Sequence, residues 1–262
     1  MIERAGYADL VENEDNDQEQ KQQLATLPEQ LSAFDLETFR DRPIQAEILA
    51  LLLLPKCDRR FASCVLIHGM GGTGKTVTAV AVVREPEIRR HFRDIYWLAV
   101  GADAVGEQLK QLQATLYKKL TGKSMKSEEK DEYEWQQALL GAMAEKQQAL
   151  LVLDDPWMPE QVRFLNPIDD SQSDHRLLVT TRIRDLVPKA ARVELPLMGK
   201  DEAASLLLDL ANIEEAEYLK EHPDAAWPPQ AAYTIAAECG LLPITLTIAA
   251  QVVRSWGSGW GE

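Results

Sequence analysis

Cys64-Val-Leu-Ile-His68 runs directly into Gly69-Met-Gly-Gly-Thr-Gly-Lys-Thr76, and this thirteen-residue stretch decides the fold. Five apolar-rich residues stopped by a glycine-rich turn read as a buried strand. The next eight fit G-x-x-x-x-G-K-[ST] at every fixed position. Gly69, Gly71, Gly72 and Gly74 let the chain curl so that successive backbone N–H groups, that of Thr73 among them, point inward at a polyphosphate. The alanine- and valine-rich run from Lys75 to about Arg84 predicts a helix whose positive end faces the same phosphates. Lys75 is expected to reach the β- and γ-phosphates and the Thr76 hydroxyl to ligate Mg²⁺.

Working outward, Asp94 to Val100 (DIYWLAV) reads as a second strand, Ala149 to Leu153 as a third, Arg176 to Thr180 as a fourth and Ala191 to Leu195 as a short fifth. Helical patterns separate them. Val105, Leu109, Leu112, Leu116 and Leu120 share one helical face, and another helix is expected near Tyr133 to Lys146. Strands alternating with helices imply a parallel sheet covered on both faces. The third strand runs into Asp154-Asp155, which places two carboxylates at the C-terminal edge of the sheet, where such sheets bind ligands. Asp154 would face the metal, and Asp155 could orient or deprotonate an attacking water. The fourth strand ends in Thr180-Thr181-Arg182, a cation suited to charge developing on a γ-phosphate.

After Gly199 the strand pattern stops. Glu202 to Leu210, Gln230 to Cys239 and Ile244 to Val253 read as three helices, with a long proline-containing connection from Asn212 to Pro229. Ile44, Ile48, Leu51 and Leu52 mark an earlier helix closed by Pro55. The organisation expected is an acidic, mobile lead-in over 1–38, an α/β domain over 39–199 and part of a helical domain over 200–262. Of the net charge of −14, from 28 basic and 42 acidic residues, the first 38 residues carry −8. An acidic chain repels phosphate backbones and makes nucleic acid a poor partner. Cys57, Cys64 and Cys239 form no disulfide framework, and no run approaches membrane-spanning length. The composition reads as that of a cytoplasmic protein with no membrane association.

HGMGGTGKT, LLVLDDPW and LLVTTR, in that order, resemble the NB-ARC family of STAND-class P-loop NTPases, which includes apoptosome ATPases and plant disease-resistance receptors. HFRDIYWLAVG, Phe39-Arg-Asp-Arg42 and Cys239-Gly-Leu-Leu-Pro243 resemble three further segments, so the likeness spans about residues 39 to 256. The resemblance implies an α/β P-loop NTPase of ASCE type with a five-stranded parallel sheet of order 5-1-4-3-2 and a small all-helical domain. It implies ADP or ATP with Mg²⁺ as cofactors, Phe39 and Arg42 flanking the adenine, Pro243 touching the nucleotide from the helical domain and Arg182 sensing the γ-phosphate. It implies protein partners and self-oligomerisation in a longer protein. The family places glycine two residues before the proline; here Leu241 stands there and Gly240 one position earlier.

Three functions fit these residues. One is an ATP/ADP switch with slow Mg²⁺-dependent hydrolysis. Another is a scaffold that holds ADP without turnover, for which Asp155 is dispensable. A P-loop small-molecule kinase is the third, and it would leave the T-T-R and proline motifs without a purpose.

Overall fold

The computed structural model describes residues 24–34, 42–168 and 174–256. Phe39 and the acidic run over 11–23 lie outside the described residues. Five strands form one parallel sheet: β1 (Cys64–His68), β2 (Asp94–Ala99), β3 (Ala149–Asp154), β4 (Arg176–Thr181) and β5 (Ala191–Glu194). Their spatial order is β2-β3-β4-β1-β5, the order that the family resemblance implies. The helices of this domain are α1 (Pro43–Leu53), α2 (Lys75–Arg84), α3 (Pro86–His91), α4 (Glu107–Thr121), α5 (Glu132–Ala144) and α6 (Pro159–Leu165).

Period-two alternation divides each inner strand between two cores. Leu66, Leu151, Leu153, Leu177 and Val179 meet α4, α5 and α6 on one face. Val65, Ile67, Leu150, Val152 and Leu178 meet α1, α2 and α3 on the other. Both faces are dry, which is why β1, β3 and β4 read as continuous apolar runs rather than as an alternating pattern. Leu109, Gln113, Leu116 and Leu120 are the buried positions of α4, whereas Val105 lies ahead of Gly106, outside the helix, and is exposed. The short helices α3 and α6, each opened by a proline in its first turn, have no apolar period long enough to announce them.

The lead-in expected over 1–38 is corrected by residues 24–34. Ala25 and Leu31 are buried in the α1–α3 core, and a 3₁₀ turn spans Glu29–Ala33. Arg84 donates to the carbonyls of Leu31 and Phe34 at 2.6 and 2.7 Å. On the edge strand β2, the Trp97 carbonyl accepts from Gln30 Nε2 and from Lys119 Nζ, each at 2.8 Å. Gln30 of this segment and Lys119 of α4 thus share one outward carbonyl of the edge strand. Leu24, Ala25, Leu27, Leu31 and Phe34 make this stretch apolar, in contrast to the polar run over 11–23 that precedes it.

A second core begins at Met198. Helices α7 (Lys200–Ala211), α9 (Gln230–Glu238) and α10 (Pro243–Trp256) pack around Leu207, Ala232, Ala236, Leu246 and Ala250. A short helix, α8 (Glu215–Glu221), lies within the long connection from Asn212 to Pro229. Helix α10 buries Leu246, Ala250 and Val253 and leaves Ile244, Ile248, Val252 and Trp256 exposed. Helix α9 closes with Gly240 in the left-handed region: the Gly240 and Leu241 amides return to the carbonyls of Ala237 and Ala236. Gly240 thus serves as the helix cap. Leu241 also takes a positive φ of 56°, which costs an L-residue about 1–2 kcal/mol. Its carbonyl accepts the Met198 amide at 3.3 Å, which helps to hold that geometry.

Candidate nucleotide-binding site

The C-terminal ends of β1, β3 and β4 bring the predicted residues to one edge of the sheet. β4 lies between β1 and β3, with Thr181 paired to His68 and Thr180 to Asp154. From His68 the chain enters the glycine loop and emerges in α2, whose first residue is Lys75. Gly72 and Gly74 have φ of 83° and 94°, open to glycine at little cost. A Cβ on Gly69 would stand 2.6 Å from the Leu195 carbonyl, so the loop is seated directly on the end of β5.

Lys75 is buried, with Nζ donating to the carbonyls of Gly69 and Met70 at 2.9 and 2.6 Å. Desolvation and the nearby Arg182 charge lower its pKa, partly offset by Asp155 and Asp154. An anionic group in the loop would relieve both effects.

Thr76 Oγ1 donates to Asp154 Oδ1 at 2.8 Å, joining the start of α2 to the end of β3. The same carboxylate oxygen accepts from Thr180 Oγ1 at 2.5 Å. Burial raises the Asp154 pKa, the two hydroxyls hold it down, and the adjacent Asp155 raises it. Among the described residues no three His, Cys, Asp or Glu side chains cluster as a self-sufficient metal cage. A Thr hydroxyl beside one carboxylate fits Mg²⁺, which keeps several waters and completes its shell with phosphate oxygens.

Asp155 follows with φ 56°; its amide donates to the Thr180 carbonyl and hydroxyl at 3.0 and 3.1 Å. One carboxylate oxygen accepts the Trp157 indole N–H at 3.1 Å, and the other lies 3.8 Å from Arg182 Nε. The Arg182 guanidinium rests against the glycine loop, since a Cβ on Gly71 would come within 3.1 Å of it. Thr180 and Trp157 were not singled out as site residues. Only their positions within LLVTTR and LLVLDDPW could have flagged them.

The helical domain reaches the same loop. A Cβ on Gly72 would fall 2.4 Å from Ile244 Cγ2, and one on Gly74 would fall 3.9 Å from Pro243 Cγ. Arg42 is committed to the junction between the domains. Its guanidinium donates to the carbonyls of Pro196 and Leu197 at 2.9 and 3.1 Å and pairs with Glu202 of α7 at 3.2 Å.

A strand–glycine loop–helix unit, a carboxylate at the end of β3 with β4 inserted between it and β1, and this sheet order define a P-loop nucleotide-binding domain. The NB-ARC domain family matches residues 45–217, and the chain belongs to it. It is 28% identical over 205 residues to apoptotic protease-activating factor 1 of Danio rerio, covering 75% of this chain and 15% of that protein. It is 29% identical over 140 residues to disease resistance protein RGA2 of Solanum bulbocastanum, covering 52% of this chain and 14% of that protein. The fold is similar to that of the ORC2 protein of Aeropyrum pernix, with TM-score 0.53 and 15% identity over 86% of this chain and 69% of that one. The chain spans 13 to 18% of the length of the first curated relatives it matches. No helix among the described residues is long and apolar enough to cross a membrane.

Proposed function

We propose that this domain is an ATP/ADP switch in which the nucleotide is held between the glycine loop and the α9–α10 turn. The observation that carries this reading is the approach of Pro243 and Ile244 to Gly74 and Gly72. A ligand shifts a conformational equilibrium only through its differential affinity for the two states. A phosphate chain seated where helical-domain side chains meet the loop has such a difference built in.

Lys75 would bind the β- and γ-phosphates, and Thr76 and Asp154 would hold Mg²⁺ through its inner shell and its waters. The metal would neutralise charge on the β- and γ-oxygens. Asp155 orients or accepts a proton from a water attacking the γ-phosphate, and Arg182 stabilises the charge that develops there. Slow turnover would reset the switch, with Asp155, held by Trp157 and Arg182, released from Arg182 by the γ-phosphate. In a longer protein the open state would assemble with copies of itself and with protein partners.

Lys75→Ala tests the reading. ATP and ADP binding, followed by titration calorimetry, should be lost while the unfolding midpoint stays close to that of the parent protein. Wild-type affinity in this variant would refute a nucleotide site here. Asp155→Asn separates the switch from an ADP-holding scaffold: suppressed hydrolysis with intact binding supports the switch, and unchanged turnover removes Asp155 from the chemistry.

A further inference from the structure

One side chain joins the ends of β3 and β4 without belonging to either. Trp157 donates its indole N–H to Asp155 Oδ2 at 3.1 Å, and its ring face lies 4.8 Å from Arg182 Cζ. Arg182 in turn stands 3.8 Å from the other oxygen of Asp155 and packs against Gly71 on the loop side. The indole is thus bound at its edge to the anion and at its face to the cation. Trp157 is itself anchored, because its backbone amide donates to Gln161 Oε1 at 2.6 Å. Gln161 is buried, and its amide nitrogen donates to the carbonyls of Gly101 and Ala104 at 3.0 and 3.2 Å. The carbonyl of Pro156 accepts from the buried Thr181 hydroxyl at 2.8 Å.

The two contacts to Arg182 differ in kind. The ion pair to Asp155 is half-exposed and long, so solvent screens it and a more strongly charged phosphate can displace it. The face of the indole attracts the guanidinium without neutralising it or occupying its donors. Arg182 can therefore exchange Asp155 for a γ-phosphate while it stays on Trp157. An arginine already held on a ring has less rotamer freedom to lose when it binds.

We propose that Trp157 is a positioning residue: its indole stations Arg182 over the glycine loop and keeps Asp155 beside it, so preference for a nucleoside triphosphate over a diphosphate depends on this ring. The proposal rests on the nucleotide-switch reading and extends it to a residue that touches no phosphate.

The experiment is a double-mutant cycle on the whole 262-residue chain, reading Mg-ATP and ADP affinity by titration calorimetry. Trp157→Leu, which removes both contacts, should weaken ATP by roughly two- to fivefold while ADP changes less than about twofold. Trp157→Phe keeps a ring face and should recover most of that loss. In an Arg182→Ala background, Trp157→Leu should cause no further change in the ATP/ADP ratio, because the two residues act through one contact. Unfolding midpoints check that each variant is folded; Trp157 is partly exposed, so the fold should tolerate its loss. Equal losses for both nucleotides in Trp157→Leu, no recovery in Trp157→Phe, or additive effects with Arg182→Ala would overturn the proposal. If the parent protein binds neither nucleotide, or Lys75→Ala binds both normally, the switch reading falls first. If those controls hold and Trp157→Leu keeps the parental ratio, only the role of Trp157 falls.

Discussion

Thr180→Val isolates the hydroxyl that supports the metal-facing carboxylate. Thr180 is 1% exposed, and its Oγ1 donates to Asp154 at 2.5 Å while accepting the Asp155 amide at 3.1 Å. Valine keeps the branched shape but replaces the hydroxyl with a methyl. The Asp155 amide retains the Thr180 carbonyl at 3.0 Å, so no donor is orphaned. The loss is that of one hydrogen bond to a buried charge, about 1.5–3 kcal/mol. For a chain of this size that corresponds to a fall of roughly 3–12 °C in the unfolding midpoint.

The pH dependence follows from Asp154. Burial raises this carboxyl above its ordinary 3.8, and the hydroxyls of Thr180 and Thr76 oppose the rise. An acid with a higher pKa folded than unfolded binds more protons in the native state, so stability falls as pH rises between the two values. Removing Thr180 lifts the folded value further. The deficit of Thr180→Val should therefore be complete near neutrality and should narrow as the pH falls toward 3.8. Thermal unfolding without nucleotide, across a series from about pH 7.5 downward, measures both features. Equal midpoints at neutral pH, or a deficit that does not change with pH, would refute this account of Asp154.

Other perturbations probe different links. Gly72→Ala places a Cβ in a left-handed residue and 2.4 Å from Ile244, so about 1–2 kcal/mol of stability should be lost together with nucleotide affinity. Calorimetry showing parental binding would mean that the loop and α10 do not meet as described. Leu31→Ala should cost about 2–5 kcal/mol in chemical denaturation, because this residue is fully buried under α1–α3. A loss below about 1 kcal/mol would return residues 24–34 to the status of a lead-in.

β1 to β4 were legible because each carries a short apolar run next to a turn or an acid, and buried parallel strands carry that pattern on both faces, whereas the edge strand β5 buries only Val193. The β1 and α2 limits read from sequence coincide with the observed ones, since Gly69 stops the strand and Gly74 and Pro86 bound the helix locally. Short helices escaped for the opposite reason. α3, α6 and α8 have six or seven residues each, fewer than two turns, and hydrophobic periodicity needs a longer window. The anchoring of residues 24–34 escaped because Ala25, Leu27, Leu31 and Phe34 follow no helix or strand period, so nothing in their spacing shows that they pack on the domain.

In the phosphate loop, the local sequence is sufficient. Glycines that must take positive φ, a helix that must begin at Lys75 and a strand that must precede it all act within thirteen residues. That is why Gly72, Lys75 and Thr76 could be assigned before any fold was known. The tertiary structure alone decided who meets that loop. Asp154 reaches Thr76 across 78 residues of sequence, and it does so because β4 lies between β1 and β3 and supplies Thr180 as a bridge. Arg182 and Trp157 face one another because two strands end at the same level, a consequence of register that no spacing within either motif encodes. Arg42 shows the same principle. Its charge was visible in the sequence, but its partners on the β5–α7 linker and on α7 exist only because a second core, begun at Met198, packs beside the first.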